Sequence, residues 1–157
     1  MNSLCIIPCG KRKIWEKEPE AGPTRADQAY IGAFHNLCQQ YSRLFFQKWV
    51  ILSAKHGLLL PEDIVPENYD LSFSMKKADM VSTEVLKEQI VKKKLESYHH
   101  IVVLGGKKFQ PVVENAFGNN RQYEYPLWNC KGLGYMQQKL KNAIEKRKPI
   151  MGMMNVR

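Results

Sequence analysis

Three short apolar runs constrain this chain more than any other feature. Leu4-Cys5-Ile6-Ile7, Trp49-Val50-Ile51-Leu52 and Ile101-Val102-Val103-Leu104 are continuous rather than alternating. Runs this short suit strands, and the lack of alternation means that both faces are covered, as in a parallel sheet. Pro8 ends the first run, because proline cannot donate to a ladder. Each run closes at once in a small cationic turn: Cys9-Gly10-Lys11-Arg12-Lys13, Ser53-Ala54-Lys55-His56-Gly57, and Gly105-Gly106-Lys107-Lys108. A fourth, alternating run over residues 122–127 leads into Trp128-Asn129-Cys130-Lys131-Gly132-Leu133-Gly134.

The intervening segments read as helices. Between residues 25 and 47, Tyr30, Phe34, Leu37, Tyr41 and Leu44 recur at steps of four and three, one helical stripe, with His35 and Cys38 beside it as packing residues. Residues 79–97 form a second helix with Val81, Val85, Leu86, Ile90, Val91 and Leu95 inward and Lys87, Lys92, Lys93 and Lys94 as a solvated face. Residues 109–117 and 135–147 complete the set, and Gly118 is a stop signal. Residues 14–24 carry three glutamates, two prolines and a glycine and read as a loop, a candidate flap. Pro61 and Pro66 make residues 60–70 irregular, and residues 72–77 are linker-like.

The order β-α-β-α-β-α-β-α predicts a single three-layer α/β/α domain over residues 1–148, with a mostly parallel sheet of about four strands. Residues 149–157, with three methionines and no period, read as a tail. Right-handed crossovers place all four strand-following turns on one edge, where ligands of open α/β sheets bind. Lys11, Arg12, Lys13, Lys55, His56, Lys107, Lys108 and Lys131 then share that rim. Crowded cations call for an anion. A net charge of +9 points the same way, toward a phosphorylated small molecule or nucleic acid, although a basic surface can also serve solubility alone. The glycine turns hold phosphate by backbone N–H groups and lysines; the Walker A spacing is absent, and an ordinary surface turn is the plain alternative.

Ligand-binding candidates are therefore Gly10, Lys11, Lys13, Ser53, Lys55, Tyr69, Gly105, Gly106 and Lys107. His56 is the general acid/base candidate, since an imidazole in a polar turn titrates near neutrality. Asp70 is the loop carboxylate that could orient His56 or activate water. Cys9 is a candidate nucleophile if Lys11 and Arg12 favour its thiolate, against the plainer role of a small residue closing the strand. Cys5, Cys9, Cys38, Cys130 and His56 lack any metal-site spacing, so neither metal nor cofactor is expected. Four irregularly spaced cysteines do not make a disulfide framework, residues 1–8 lack a basic leader, and no apolar run reaches a membrane span of about 20 residues. A reducing cytoplasm is the expected location, with no membrane partner.

The Cys9-Gly10-Lys11-x-Lys13 turn, the Ser53-Ala54-Lys55-His56-Gly57-Leu58-Leu59 segment and Tyr69-Asp70 together resemble an uncharacterised family of small bacterial and phage proteins. The likeness is strong over the first half; Gly105-Gly106 and Pro126-Leu127 followed by Gly132 fit more loosely. The chain is also distantly similar to the peroxide-stress YaaA proteins and to the Pro-Cys-Ser-x-x-Lys-Pro-Tyr domain of archaeosine synthases, which resembles the uracil-DNA-glycosylase fold. These likenesses imply nucleic-acid or modified-nucleobase biology on a glycosylase-like or Rossmann-like sheet. Two functions follow as expectations. One is an enzyme acting on a nucleotide or a nucleic-acid base. The other is a non-catalytic nucleic-acid-binding protein of stress response or phage defence, using a broad basic face that includes Lys92–Lys94 and residues 141–148. A scaffold whose rim holds some small anion is the plainest third.

Overall fold

Alternate residues of the buried strands enter two different cores. In the computed structural model, which describes residues 2–73 and 80–156 (the last four by backbone alone), Cys5, Ile7, Trp49, Ile51 and Val102 face one side. Leu4, Ile6, Val50, Leu52, Ile101 and Val103 face the other. A strand points successive side chains to opposite faces, so an unbroken apolar run needs a helical layer on each. The first core is closed by Leu37, Cys38 and Tyr41 of helix α3 (Ala33–Phe45) and Leu140 and Ala143 of α6 (Leu133–Lys146). The second is closed by Leu86 and Ile90 of α4 (Thr83–Lys92) and by Phe109, Val113, Ala116 and Phe117 of α5 (Phe109–Phe117). Each Val, Leu, Ile or Phe among them, fully buried, contributes roughly 1.5–3 kcal/mol.

Strands β1 (Ser3–Pro8), β3 (Lys48–Ser53), β6 (His100–Val103) and β7 (Gln122–Tyr125) are the four expected, and they run parallel. Two more make a six-stranded sheet. Strand β4 (Gly57–Leu59) returns antiparallel on β3, and β8 (Met153–Val156) pairs antiparallel with β7. The sheet order is β4-β3-β1-β6-β7-β8, so the fold is mixed α/β with a mostly parallel sheet. Residues 149–157, expected as a tail, thus include an edge strand. Edge pairing uses backbone groups, which leave no side-chain period to read.

The 25–47 helix is interrupted. A two-stranded ladder joins β2 (Thr24–Arg25) to β5 (Ile64–Val65), and α2 (Ala26–Ala29) stops at Tyr30. Tyr30 bridges Lys13, and Ile31 N–H donates to the Arg12 carbonyl at 3.0 Å, so these backbone groups are paired outside any helix. Residues 14–24 are not all loop: α1 (Ile14–Lys17) buries Trp15, whose Nε1 donates to the Gly22 carbonyl at 3.1 Å. Helix α4 is shorter than residues 79–97, and the expected onset at Asp79 and much of the 72–77 linker lie outside the described residues. Val85 and Val91 are exposed rather than inward, while Leu95 is buried beyond the helix end. Lys93 is not solvated: its Nζ reaches Asp63 Oδ2 at 2.7 Å. None of the helices among the described residues is long and apolar enough to cross a membrane.

Candidate functional site

Strand order reverses at β1. Strand β3 lies on one side of it and β6 on the other, so the turns after β1 and β6 diverge and leave a crevice. A cavity of about 550 Å³ opens there. Cys9, Gly10, Lys11 and Lys13 line it from the β1 turn, and Gly105, Gly106, Lys107 and Lys108 from the β6 turn. Phe34, Leu71, Phe73, Phe109, Leu133 and Met136 supply apolar wall, and Asp70 the carboxylate. The Phe73 and Phe109 rings meet edge to face at 5.4 Å.

Local chemistry explains the two turns. Gly10 sits at φ +83°, the left-handed region where glycine is at ease. At Gly105 a Cβ would fall 2.5 Å from the Phe109 ring, so only glycine lets that ring close over the turn. His35 secures the base of the first turn. Its Nδ1 donates to the Pro8 carbonyl at 2.8 Å, and its Nε2 accepts from Gln39 Nε2 at 2.7 Å. Burial drives the His35 pKa down to about 4, which keeps the ring in the neutral form this arrangement requires. The expected packing role of His35 is met, with a hydrogen-bonding duty added.

Three helices begin at this cavity. Phe34 is the second residue of α3, Phe109 the first of α5 and Leu133 the first of α6, and all three line it. None of these helices has a side-chain N-cap or an acidic residue in its first turn. Helix α4, which does not reach the cavity, has both: Ser82 Oγ accepts from Val85 N–H at 3.2 Å, and Glu84 sits in its first turn. Helix N-termini carry partial positive charge and unpaired N–H groups. Here no side chain caps them, although at α5 the Phe109 and Gln110 N–H groups are taken by the Gly106 and Lys107 carbonyls, each at 3.2 Å, and Pro111 has no N–H to offer.

Four of the expected residues stand outside the cavity walls. Ser53, Lys55, His56 and Tyr69 form a second cluster behind Lys13. Ser53 is fully buried, and its Oγ accepts from Lys55 N–H at 3.3 Å and His56 N–H at 3.0 Å. The same hydroxyl lies 2.7 Å from the Tyr69 hydroxyl, which also bonds the Tyr30 hydroxyl. Burial pushes both phenols up, so they stay protonated. The Tyr69 ring faces four cationic or aromatic neighbours: Lys13 Nζ at 4.4 Å, Lys55 Nζ at 5.7 Å, the His56 ring at 5.1 Å and the Tyr30 ring at 6.5 Å. Gln89 of α4 clamps the turn, accepting from Leu58 N–H and donating to the His56 carbonyl, each at 2.8 Å.

The catalytic candidates separate. Asp70 reaches the cavity, but Tyr69 takes the place against His56, and among the described residues no hydrogen bond joins Asp70 to His56. The imidazole is pushed down by burial and then by Lys55, away from the near-neutral value expected, and its Nε2 has no hydrogen-bond partner among the described residues. Cys9 lines the cavity, yet burial raises its thiol, outweighing the Tyr69 hydrogen bond and Lys13 that favour thiolate. Arg12 pairs with Glu16 at 3.6 Å, and Lys131 lines a separate groove with Tyr135 and Lys139. Residues 14–24 do not line the cavity, contrary to a flap. Sequence reasoning missed Tyr30, Gln89 and the Phe73–Phe109 pair. Tyr30 fell on a helical stripe, and Gln89 is one polar residue among many on α4.

A family model described as "Family of unknown function (DUF6884)" matches residues 4–142. The chain belongs to the DUF6884 family. DUF6884 thus spans all four parallel strands and every cavity-lining residue. The chain is similar to the "Uncharacterized protein YfjM" of Bacillus subtilis (strain 168), 44% identical over 147 residues, which cover 94% of this chain and 98% of that protein.

Proposed function

We propose that the β1–β6 cavity binds a phosphorylated, ring-bearing ligand, a nucleotide or a nucleotide unit of a nucleic acid, and that the protein is an enzyme acting on it. One observation carries this reading. Four lysines and three helix N-termini without a capping side chain converge on a cavity whose remaining wall is mostly apolar and aromatic, with Asp70 and Ser72 among it. Like charges about 8 Å apart repel by about 2 kcal/mol at an effective dielectric of about 20, and a bound phosphate relieves this. The phenylalanines and Met136 suit the face of a base. The volume is in the usual range for small-ligand sites, about 300–1,000 Å³. Asp70 lines the cavity, and in this reading it is the carboxylate that accepts a proton from water attacking the ligand.

Isothermal titration of phosphate, nucleosides and nucleoside monophosphates tests this. Monophosphates bind more tightly than either component alone, and Lys11→Ala or Lys107→Ala weakens them roughly tenfold, the equivalent of about 1.4 kcal/mol. Monophosphates binding no better than phosphate would remove the base from the reading. The non-catalytic alternative draws on the second groove, where Lys131, Lys139 and Lys141 form a basic strip. It requires oligonucleotide binding that falls steeply with salt and ignores Lys11 and Lys107.

A further inference from the structure

Lys13 is an unusual lysine. It is 3% exposed, whereas lysines are almost never buried without a partner. Lys93 shows the ordinary solution, an ion pair with Asp63 at 2.7 Å. Among the described residues no carboxylate forms an ion pair with Lys13. Its Nζ donates to the Lys11 carbonyl at 2.9 Å and lies 4.4 Å from the Tyr69 ring centre. The backbone is pinned as well: Lys13 bridges Tyr30, and its carbonyl accepts from Glu16 N–H at 3.0 Å. The fold thus fixes Lys13 in the cavity lining, which Lys11 of the same turn and Lys107 of the other turn also join.

We propose that Lys13 is an imine-forming nucleophile and that the cavity's substrate carries a carbonyl carbon together with its phosphate, as an open-chain sugar phosphate does. This rests on the anion-binding part of the function proposed above. A phosphate held by Lys11, Lys107 and the helix N-termini would present the rest of the molecule to Lys13. The neutral amine adds to the carbonyl carbon, forming the C–N bond as the C=O π pair moves to oxygen. The carbinolamine then loses water, whose two protons both come from the amine, and the imine remains. Lysines serve in this way where desolvation and neighbouring cations favour the free amine. Burial pushes Lys13 below the ordinary lysine value, with Cys9 and Asp70 opposing less strongly.

The test is reductive trapping. The full chain is incubated with ribose 5-phosphate and sodium cyanoborohydride, then examined by intact mass and peptide mapping, with phosphate binding measured in parallel by calorimetry. The expected result is one adduct per chain, on Lys13, suppressed by inorganic phosphate. Lys13→Arg keeps the charge and removes the nucleophile, so it gives no adduct. Adducts scattered over surface lysines with Lys13 spared, while phosphate still binds, would overturn the imine proposal and leave the anion site standing. Neither phosphate binding nor a Lys13 adduct would overturn both. Mapping the unsubstituted protein decides the matter even if the variant fails to fold.

Discussion

The turn after β3 depends on a single glycine and a single glutamine, and a double-mutant cycle measures their dependence. Gly57 lies at φ +73°, and a Cβ there would stand 2.2 Å from Gln89 Oε1 and 2.9 Å from Gln89 Cδ and Nε2. Gln89→Ala removes two hydrogen bonds, at about 1 kcal/mol each, so it costs about 2 kcal/mol. Gly57→Ala pays left-handed strain of about 1–2 kcal/mol and also evicts the Gln89 side chain, with its two bonds, for a total of about 3–4 kcal/mol. In the double variant those bonds are already gone, so it costs about the same as Gly57→Ala alone. Additivity would demand about 5–6 kcal/mol; the expected coupling is about 2 kcal/mol. Urea denaturation followed by circular dichroism measures all four proteins, with stability compared at constant m. If the two single effects add to within about 0.5 kcal/mol, the glutamine clamp is not what the glycine makes room for, and the reasoning fails.

Three further outcomes follow from the same contacts. His35 has a folded pKa of about 4 against 6.5 for an ordinary imidazole, so between those pH values the unfolded chain binds more protons. Its contribution of about 3 kcal/mol is present above pH 6.5 and lost as pH falls toward 4; the stability–pH curve of His35→Gln lacks that component, and equal slopes for the two proteins would refute it. Tyr69→Phe keeps the ring against Lys13 but leaves the Ser53 and Tyr30 hydroxyls without their shared partner, at about 1–3 kcal/mol by thermal unfolding. Gly152→Ala would place a Cβ 2.7 Å from the Pro126 nitrogen and break the Gly152 N–H bond to Glu124 Oε2, now 3.1 Å. Amide exchange should then rise in β8 and along the β7 edge facing it while β1 and β3 keep their protection; unchanged exchange in β8 would show that the strand docks without this contact.

The parallel strands were legible because burial on both faces leaves a mark in the chain itself. Leu4 to Ile7, Trp49 to Leu52 and Ile101 to Val103 must be apolar throughout to satisfy two helical layers. Parallel pairing puts their ends on one edge, so the cationic turns form a rim that the order of strands and helices predicts. Strands β4 and β8 left no such mark, since a three-residue return and an edge pairing rest on backbone hydrogen bonds.

Side-chain partnership was illegible for a different reason. Which lysines share a cavity depends on the strand order β3-β1-β6, which brings the Gly10 and Gly105 turns together, whereas Lys131 lines a groove of its own. Tyr69-Asp70 reads as one motif, yet Tyr69 packs against His56 while Asp70 lines the cavity. Composition and periodicity determined the layers, the parallel sheet and the charge of its edge. Only tertiary structure decided that Lys13 is buried with no ion pair among the described residues, that three helices without a capping side chain begin at its cavity, and that Tyr30, Gln89 and His35 hold the turns. Those are contacts between residues far apart in the chain, and a local pattern carries no record of them.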